Sequence, residues 1–261
     1  MKNIMYLLSI VAITVSCTQN ENFDEKPKDE NLVTFTASEI TTRLIDNGTT
    51  FSWELGDQIQ IVAESEFSNL WSVHEISNTT TGEMSFVSGA EYYTDSIEIW
   101  NYYAWYPSTL SISGTTLSLD LNNQDITEQF VFASENSSTN EVTLNFAPQY
   151  TKLIFNLKAG LGDISDLTGA KATINGVNTS GEYDYLTAEF SNLTSATLTP
   201  TVEVDESDTT TATITLYILE TKSSDCELDI SIRDDNYVIS LTNEEWLKGF
   251  MYEYNVTVGA E

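Results

Sequence analysis

Apolar and polar residues alternate along most of the chain from Leu32 onward. The alternation begins in the run Val33 to Ala37 and returns in eight later runs rich in β-branched and aromatic residues. Such alternation is typical of strands that bury one face. Glycine-containing turns separate the runs at intervals of roughly 8 to 20 residues, which favours sandwiches over βαβ units. The pattern predicts an all-β fold of antiparallel strands.

The alternating part of the chain is long enough for two sandwiches. About 230 residues follow position 31, whereas one sandwich takes about 100. No linker rich in proline or glycine marks a boundary, so we place it in the polar stretch from Asn136 to Asn140. The predicted domains are 32–138 and 139–261. One short helix is expected from Asn243 to Gly249, with Asn243 as the N-cap.

The first 31 residues differ from the rest. Residues 1–16 combine a charged start with an apolar run too short to span a bilayer, which indicates an export signal. Ser16 precedes Cys17, as at a bacterial lipoprotein processing site, so we expect Cys17 to carry acyl chains. The alternative is a simple secretion signal with an incidental cysteine. Residues 17–31 are almost wholly polar and form a predicted tether.

The composition excludes several functions. Ten basic residues stand against 40 acidic ones, giving a formal charge of −30, so nucleic-acid binding is not expected. Membrane attachment must then be covalent or hydrophobic. The one histidine, His74, lies in a strand pattern and is not expected to be catalytic. No catalytic motif is present, and neither an enzyme activity nor a cofactor or metal site is predicted.

Basic residues are absent between Arg43 and Lys152, where 15 acids occur. Three interpretations of this absence remain open: a soluble acidic surface, binding of multivalent cations, or avoidance of cleavage by proteases specific for arginine and lysine. No calcium-loop motif supports the second. The third makes Arg43 the only such cleavage point between the tether and Lys152.

Seven aromatic residues crowd into fifteen positions from Tyr92 to Tyr106. An exposed cluster of this kind could stack on sugar rings. Its alternative is a core-facing strand near a domain junction. The candidate ligand platform consists of Trp100, Tyr102, Tyr103, Trp105 and Tyr106.

Several motifs together resemble one family, the fimbrillin-like pilus subunits of Bacteroidales-type bacteria, which build type V pili. The resemblance runs from the signal to the C-terminus. It is carried by Val33-Thr34-Phe35-Thr36-Ala37, Thr42-Arg43, Phe51-Ser52-Trp53-Glu54-Leu55-Gly56-Asp57, Tyr103-Ala104-Trp105-Tyr106-Pro107, the stretch Leu144 to Leu153 and the closing stretch Lys248 to Val258.

This resemblance implies two tandem transthyretin-like sandwiches and assembly by strand exchange. It implies cleavage by an arginine-specific protease between Arg43 and Leu44, which would remove a first strand containing Val33, Phe35 and Ala37. The candidate donor strand contains Tyr252, Tyr254, Val256 and Val258; alternatively, the protein passes no strand onward and is a tip or anchor subunit.

The sequence therefore predicts a lipid-anchored pilus subunit or adhesin on the cell outer membrane. Its expected partners are other pilus subunits, with a host or bacterial surface glycan or protein as a further partner. The alternative function is a surface lipoprotein that binds glycans for nutrient uptake through the aromatic platform.

Overall fold

The computed structural model describes residues 31–38, 52–94, 99–124, 130–160, 164, 166–241 and 244–259. Throughout this part of the chain the fold is all-β, as predicted: it contains strands and a 3-10 turn at Ser223–Asp225, but no α-helix. No helix here has the length and apolar character needed to cross a membrane.

The N-terminal sheet has eight strands, which pair in the spatial order β10-β8-β5-β2-β3-β4-β1-β9. Their bounds are β1 Thr34–Ala37, β2 Gln58–Glu64, β3 Asn69–Asn78, β4 Glu83–Gly89, β5 Trp100–Tyr106, β8 Val131–Ser137, β9 Glu141–Leu144 and β10 Ala147–Pro148.

The other strands form two larger sheets and a small one. A four-stranded sheet has the order β14-β15-β11-β20, with β11 Thr151–Ala159, β14 Glu203–Val204, β15 Thr211–Ile218 and β20 Met251–Val258. The six-stranded sheet has the order β18-β17-β12-β7-β6, and β13 also pairs with β12. Its strands are β6 Ile112–Ser113, β7 Thr116–Asp120, β12 Lys171–Asp184, β13 Glu189–Leu198, β17 Glu227–Ile232 and β18 Asp235–Ser240. Strands β16 Thr221–Lys222 and β19 Glu245–Trp246 pair with each other.

The alternating side chains fill two separate cores. Phe35 and Ala37 of β1 and Val33 just before it are buried, and they join a core built from the N-terminal sheet. In β11 the residues Leu153, Phe155 and Leu157 are buried in a second core, which lies within the C-terminal sheets. Period-two burial of this kind is what strands with one face in a core require. The predicted alternation is therefore confirmed at these strands.

A third apolar cluster joins the two halves. Val62 and Trp105 from the N-terminal sheet pack with Leu117 of β7 and with Tyr183 and Tyr185, which lie in and just after β12. Strand β7 precedes β8 in the chain, yet it pairs with β12 from Thr116↔Asp184 to Asp120↔Ser180. The six-stranded sheet is thus completed by a segment from the N-terminal half.

Sheet membership divides the chain at a different place from the predicted domains. The division at 138/139 falls between β8 and β9, and both strands belong to the N-terminal sheet. The chain passes to the C-terminal sheets after Pro148, and residues 112–120 have already crossed to them. The described residues from Asn31 onward form one compact unit.

Two further expectations are corrected. The sheets are not wholly antiparallel, because β1 runs parallel to β9 and β20 runs parallel to β11. The expected helix near Trp246 is instead β19, whose residues Glu245 and Trp246 pair with Lys222 and Thr221. The side chain of Trp246 is fully buried, and a partner strand with a core position for the indole outweighs the local helix signals.

Replacing Trp105 tests whether the third cluster couples the halves. Trp105 is 1% exposed and stacks on Tyr185 at 5.6 Å between ring centroids. We expect Trp105→Ala to lower the free energy of unfolding by about 3–5 kcal/mol. The exposed Ser118→Ala on β7 should change it by less than about 0.5 kcal/mol. Denaturant titrations followed by fluorescence and circular dichroism should give one coincident transition; separate transitions for the two halves would contradict the coupling.

Candidate functional site

Strand β1 is inserted into the N-terminal sheet between β4 and β9. Its core-facing residues Phe35 and Ala37, and Val33 just before it, are only 2–4% exposed. The alternate residues Thr34 and Thr36 face outward and are half-buried. The predicted first strand therefore lies within a sheet and contributes to its core.

The side of β1 next to β9 is regularly paired. Four residues of β1 match four of β9 in parallel register, from Thr34↔Glu141 to Ala37↔Leu144. The amide of Thr34 donates to the carbonyl of Asn140 at 2.8 Å, just before β9, and the Ser38 amide donates to the Leu144 carbonyl at 2.9 Å. Main-chain hydrogen bonds along β9 thus hold β1 over its whole length.

The side next to β4 is paired only at its two ends. At one end Thr36 pairs with Glu83, and the Ala37 amide donates to the Gly82 carbonyl at 2.8 Å. At the other end the Val33 amide donates to the carbonyl of Tyr92, also at 2.8 Å. Between these points three residues of β1, 33–35, lie opposite nine residues, 84–92. The longer segment must therefore bow away from β1.

A cavity of about 140 Å³ lies where the two segments separate. We call it the first-strand cavity. Leu32 to Phe35 line one side of it, and the opposite side is lined by His74, Met84, Phe86, Glu91 and Tyr92. The ring of Phe86 remains 42% exposed, since β1 does not cover it.

Aromatic rings surround Phe35. The centroid of its ring lies 5.1 Å from that of His74, 5.6 Å from that of Tyr92 and 5.3 Å from that of Tyr102, each in an edge-to-face arrangement. Edge-to-face pairs contribute about 0.5–1.5 kcal/mol beyond the burial of area. Phe35 is thereby the main side-chain anchor of β1.

The imidazole of His74 is buried beside this anchor and lines the cavity. It is 6% exposed, and neither ring nitrogen has a hydrogen-bond partner among the described residues. Burial lowers the pKa of His74 from 6.5 to about 4, so the ring is neutral at pH 7. Its neighbours on other segments are the rings of Phe35, Phe86 and Tyr92 and, across the cavity, the carboxylate of Glu91.

The neighbouring Tyr92 has its own partners. Its hydroxyl donates to the carbonyl of Ile61 at 3.0 Å and accepts from the hydroxyl of Ser72 at 2.7 Å. Burial raises the pKa of this phenol, which stays protonated. His74 is thus the unsatisfied polar side chain of the cavity.

Gly82 sets how closely β4 approaches β1. Its φ is +71°, and a β-carbon there would lie 1.9 Å from the carbonyl oxygen of Ala37. The sequence identified Thr81-Gly82 only as a turn. Its contact with β1, and the cavity residues Met84 and Phe86, could not be located without the pairing of distant strands.

The predicted donor residues Tyr252, Tyr254, Val256 and Val258 lie in β20, at the edge of the four-stranded sheet. This strand pairs with β11 over eight residues. Tyr254 stacks on Phe155 at 5.2 Å, and its hydroxyl accepts a hydrogen bond from the indole of Trp246. The four residues therefore help to form the C-terminal core.

The predicted aromatic platform is not a solvent-facing surface. Trp100, Tyr102 and Trp105 are at most 6% exposed. The half-buried Tyr103 packs on Tyr185, and Tyr106 packs edge-to-face on Trp53. Aromatic residues on both faces of β5 serve the N-terminal core and the third cluster, so this strand cannot offer its rings to a sugar.

The lipidation residue Cys17 and the cleavage residues Arg43 and Leu44 lie outside the described residues. Cys226 is buried and unpaired, and burial raises the pKa of its thiol to about 11. Within the described ranges, no group of histidine, cysteine and acidic side chains has an arrangement suited to a metal ion.

Comparison with known families identifies the chain. The model of the fimbrillin-like family matches residues 42–261, which is most of the chain. The chain belongs to the fimbrillin-like family. The matched region begins after β1, close to the predicted cleavage residue Arg43. No curated protein matches this fimbrillin-like chain in sequence.

Solved structures show the same fold. A candidate cell adhesion protein from Bacteroides uniformis superposes with a TM-score of 0.67 at 16% identity, covering 89% of this chain and 93% of its own. A second one, from Bacteroides ovatus, gives 0.65 at 18% identity, with 87% and 92% covered. A structure described as candidate polysaccharide-binding proteins, from Bacteroides thetaiotaomicron, gives 0.53 at 14% identity, with 86% and 89% covered.

Acid should weaken this fimbrillin-like fold through His74. Because its pKa is lower in the folded chain than in the unfolded one, its contribution to stability is complete above pH 6.5 and is lost as the pH falls towards 4. We expect about 3 kcal/mol of pH-dependent stability from this group, which His74→Leu removes. Denaturant titrations between pH 7 and 4 measure it as the difference between the two proteins. Equal losses in both would contradict the assignment.

Replacing Gly82 should loosen β1 selectively. Gly82→Ala strains a positive φ and places a methyl group against the Ala37 carbonyl, whereas Gly114→Ala strains a similar φ, +63°, with no atom within 4 Å. Strain alone costs about 1 kcal/mol. We expect a larger loss from Gly82→Ala, with faster hydrogen exchange at the amides of residues 34–37. Indistinguishable exchange in the two variants would argue against this role of Gly82.

Proposed function

We propose that this chain is a surface pilus subunit whose N-terminal sheet accepts a strand from another subunit in place of β1. The observation that carries the proposal is the position of β1 inside the sheet, between β4 and β9. Removing it would expose the main-chain groups of β9 that now pair with β1 and leave an apolar slot, and a strand from another chain can fill both.

Membership of the fimbrillin-like family supports this role. The family model begins at residue 42, so the region that it matches excludes β1. Two similar structures are named as candidate cell adhesion proteins, which agrees with a surface role in adhesion. Cleavage after Arg43 would separate the body from β1 at nearly the same position.

The binding mode follows from the slot. Hydrogen bonds to β9 supply affinity without dependence on sequence, while the positions of Val33, Phe35 and Ala37 supply pockets that fix the register. The body from Leu44 onward carries 34 acidic and 6 basic residues. Such bodies repel one another, so insertion of a strand must supply the affinity for assembly.

We propose that the body acts as acceptor and that the incoming strand is not β20. Releasing β20 would break its ladder with β11 and remove Tyr254 and Val258 from the C-terminal core. The incoming strand is therefore assigned to a segment of another chain that is not already part of a core.

We further propose that Cys17 anchors the precursor to the outer membrane through acyl chains before cleavage. Each buried methylene contributes about 0.8 kcal/mol, so several chains hold a protein firmly. The polar residues 18–31 would then separate the lipid from the body. Glycan binding by β5 is not proposed, since its aromatic rings are buried.

Proteolysis of the lipidated precursor tests the proposal. Treatment with an arginine-specific protease in the presence of other pilus subunits should give a body that begins at Leu44 and forms complexes with those subunits that survive on unheated SDS gels. An acyl label fed to the cells should leave with the N-terminal fragment, because Cys17 precedes the cut. N-terminal sequencing and label detection measure both results.

The matched control is Arg43→Ala, which should keep its N-terminal segment and its label and remain monomeric under the same treatment. Cleavage at Arg43 that yields a stable monomer, in the presence of other subunits as well, would overturn strand exchange. Loss of the label before proteolysis would overturn the anchor alone.

A further inference from the structure

We propose that the first-strand cavity is a side-chain pocket for the incoming strand, and that it takes a tyrosine at the position held by Val33. This inference rests on the proposed strand exchange and names the chemistry of the partner. Residues 32–35, which line the cavity, neither fill it nor give His74 a hydrogen-bond partner.

The first argument is geometric. Between its two pairing points β1 spans three residues, whereas the opposite segment 84–92 spans nine and leaves about 140 Å³ between them. Phe35 already occupies its place among three rings, but Val33 lines the cavity with a small side chain. Protein interiors are normally filled at high density, so a larger side chain at position 33 gains contacts that valine does not make.

The second argument concerns hydrogen bonding and does not depend on the volume of the cavity. His74 is 94% buried and lines the same cavity, with neither ring nitrogen paired among the described residues. A neutral imidazole has one nitrogen that donates and one that accepts. A phenol both donates and accepts, and its ring suits a wall formed by Phe86, Tyr92 and Met84. An acidic side chain would meet the carboxylate of Glu91 across the cavity, and a basic one, although Glu91 could pair with it, has no acceptor for the imidazole N–H, so tyrosine fits better.

The pocket explains how one strand can replace another in the same slot. The parallel ladder with β9 is available to any extended segment, and so cannot discriminate between them. A partner for His74, together with cover for the exposed Phe86, favours the segment that supplies both. The resident β1 supplies neither, which leaves it replaceable.

The test in the uncut chain is a double-mutant cycle. Val33→Tyr, Val33→Phe and Val33→Ala are made in the native background and with His74→Leu, and the midpoints of denaturant unfolding are compared. We expect Val33→Tyr to be more stable than Val33→Phe only when His74 is present. Since His74 is the only histidine, the nitrogen NMR shifts of its ring should also change in Val33→Tyr alone. Equal stability of the tyrosine and phenylalanine variants, or the same advantage without His74, overturns the pocket.

A second measurement uses strand exchange. The full chain is cut at a protease site inserted within residues 39–51, and fluorescent peptides of the sequence Asn31–Ser38 carrying valine, phenylalanine or tyrosine at position 33 compete for the slot. A hydrogen bond of the usual net strength predicts that the tyrosine peptide binds about 2- to 10-fold more tightly than the phenylalanine peptide. Exchange without that preference overturns the inference and leaves the proposed function standing. Failure of every peptide to exchange overturns the proposed function, while the unfolding cycle still decides the pocket.

Discussion

Burial of Phe35 among the rings of His74, Tyr92 and Tyr102 is the interaction on which the N-terminal sheet depends. It joins β1 to strands that lie far from it in sequence, and it fixes the register that buries Val33 and Ala37. The main-chain ladder to β9 would tolerate other registers, but a shift by one residue would turn Phe35 out of the core. A short strand is thus held in place by one aromatic residue and four backbone pairs.

The two edges of β1 are not stabilised equally. One edge of β1 is regularly paired, while the other meets its neighbour only at its ends. A buried polar group without a partner costs about 1–3 kcal/mol, and His74 adds such a cost beside the strand that is proposed to leave. Stability in the rest of the sheet comes from longer ladders such as β2 with β3 and β5 with β8. A buried polar group without a partner and an incompletely paired strand edge therefore coincide at the proposed site of exchange.

Much of the fold could be predicted from period-two alternation, because strands such as β1, β15 and β17 bury every second residue. The features that the sequence does not predict depend on contacts between residues that are distant in sequence. The parallel pairing of β1 with β9 and the transfer of β7 to the other sheet leave no local signal. Trp246 lies in a segment with good helix caps, yet a core position for its indole makes it a strand. The crowding of aromatic residues around β5 was visible, but alternation could not show that both faces are covered.

The candidate site, too, can be predicted only in part from the local sequence pattern. Local patterning identified the first strand and its buried residues, whereas the cavity beside it arises from three segments and from the approach allowed at Gly82. His74 was interpreted as an ordinary strand residue, which is correct for its backbone but does not describe its chemistry.

The crossing of β7 has a practical consequence for dissecting the molecule. A fragment that starts at Thr151 would lack the strand that pairs with β12, so Tyr183 would lose Leu117 and Phe130 from its surroundings. In the complementary fragment the β6–β7 hairpin would lose its partner strand β12. Neither piece could be swapped between relatives as a cassette, and chimaeras would have to move residues 112–120 together with the C-terminal half.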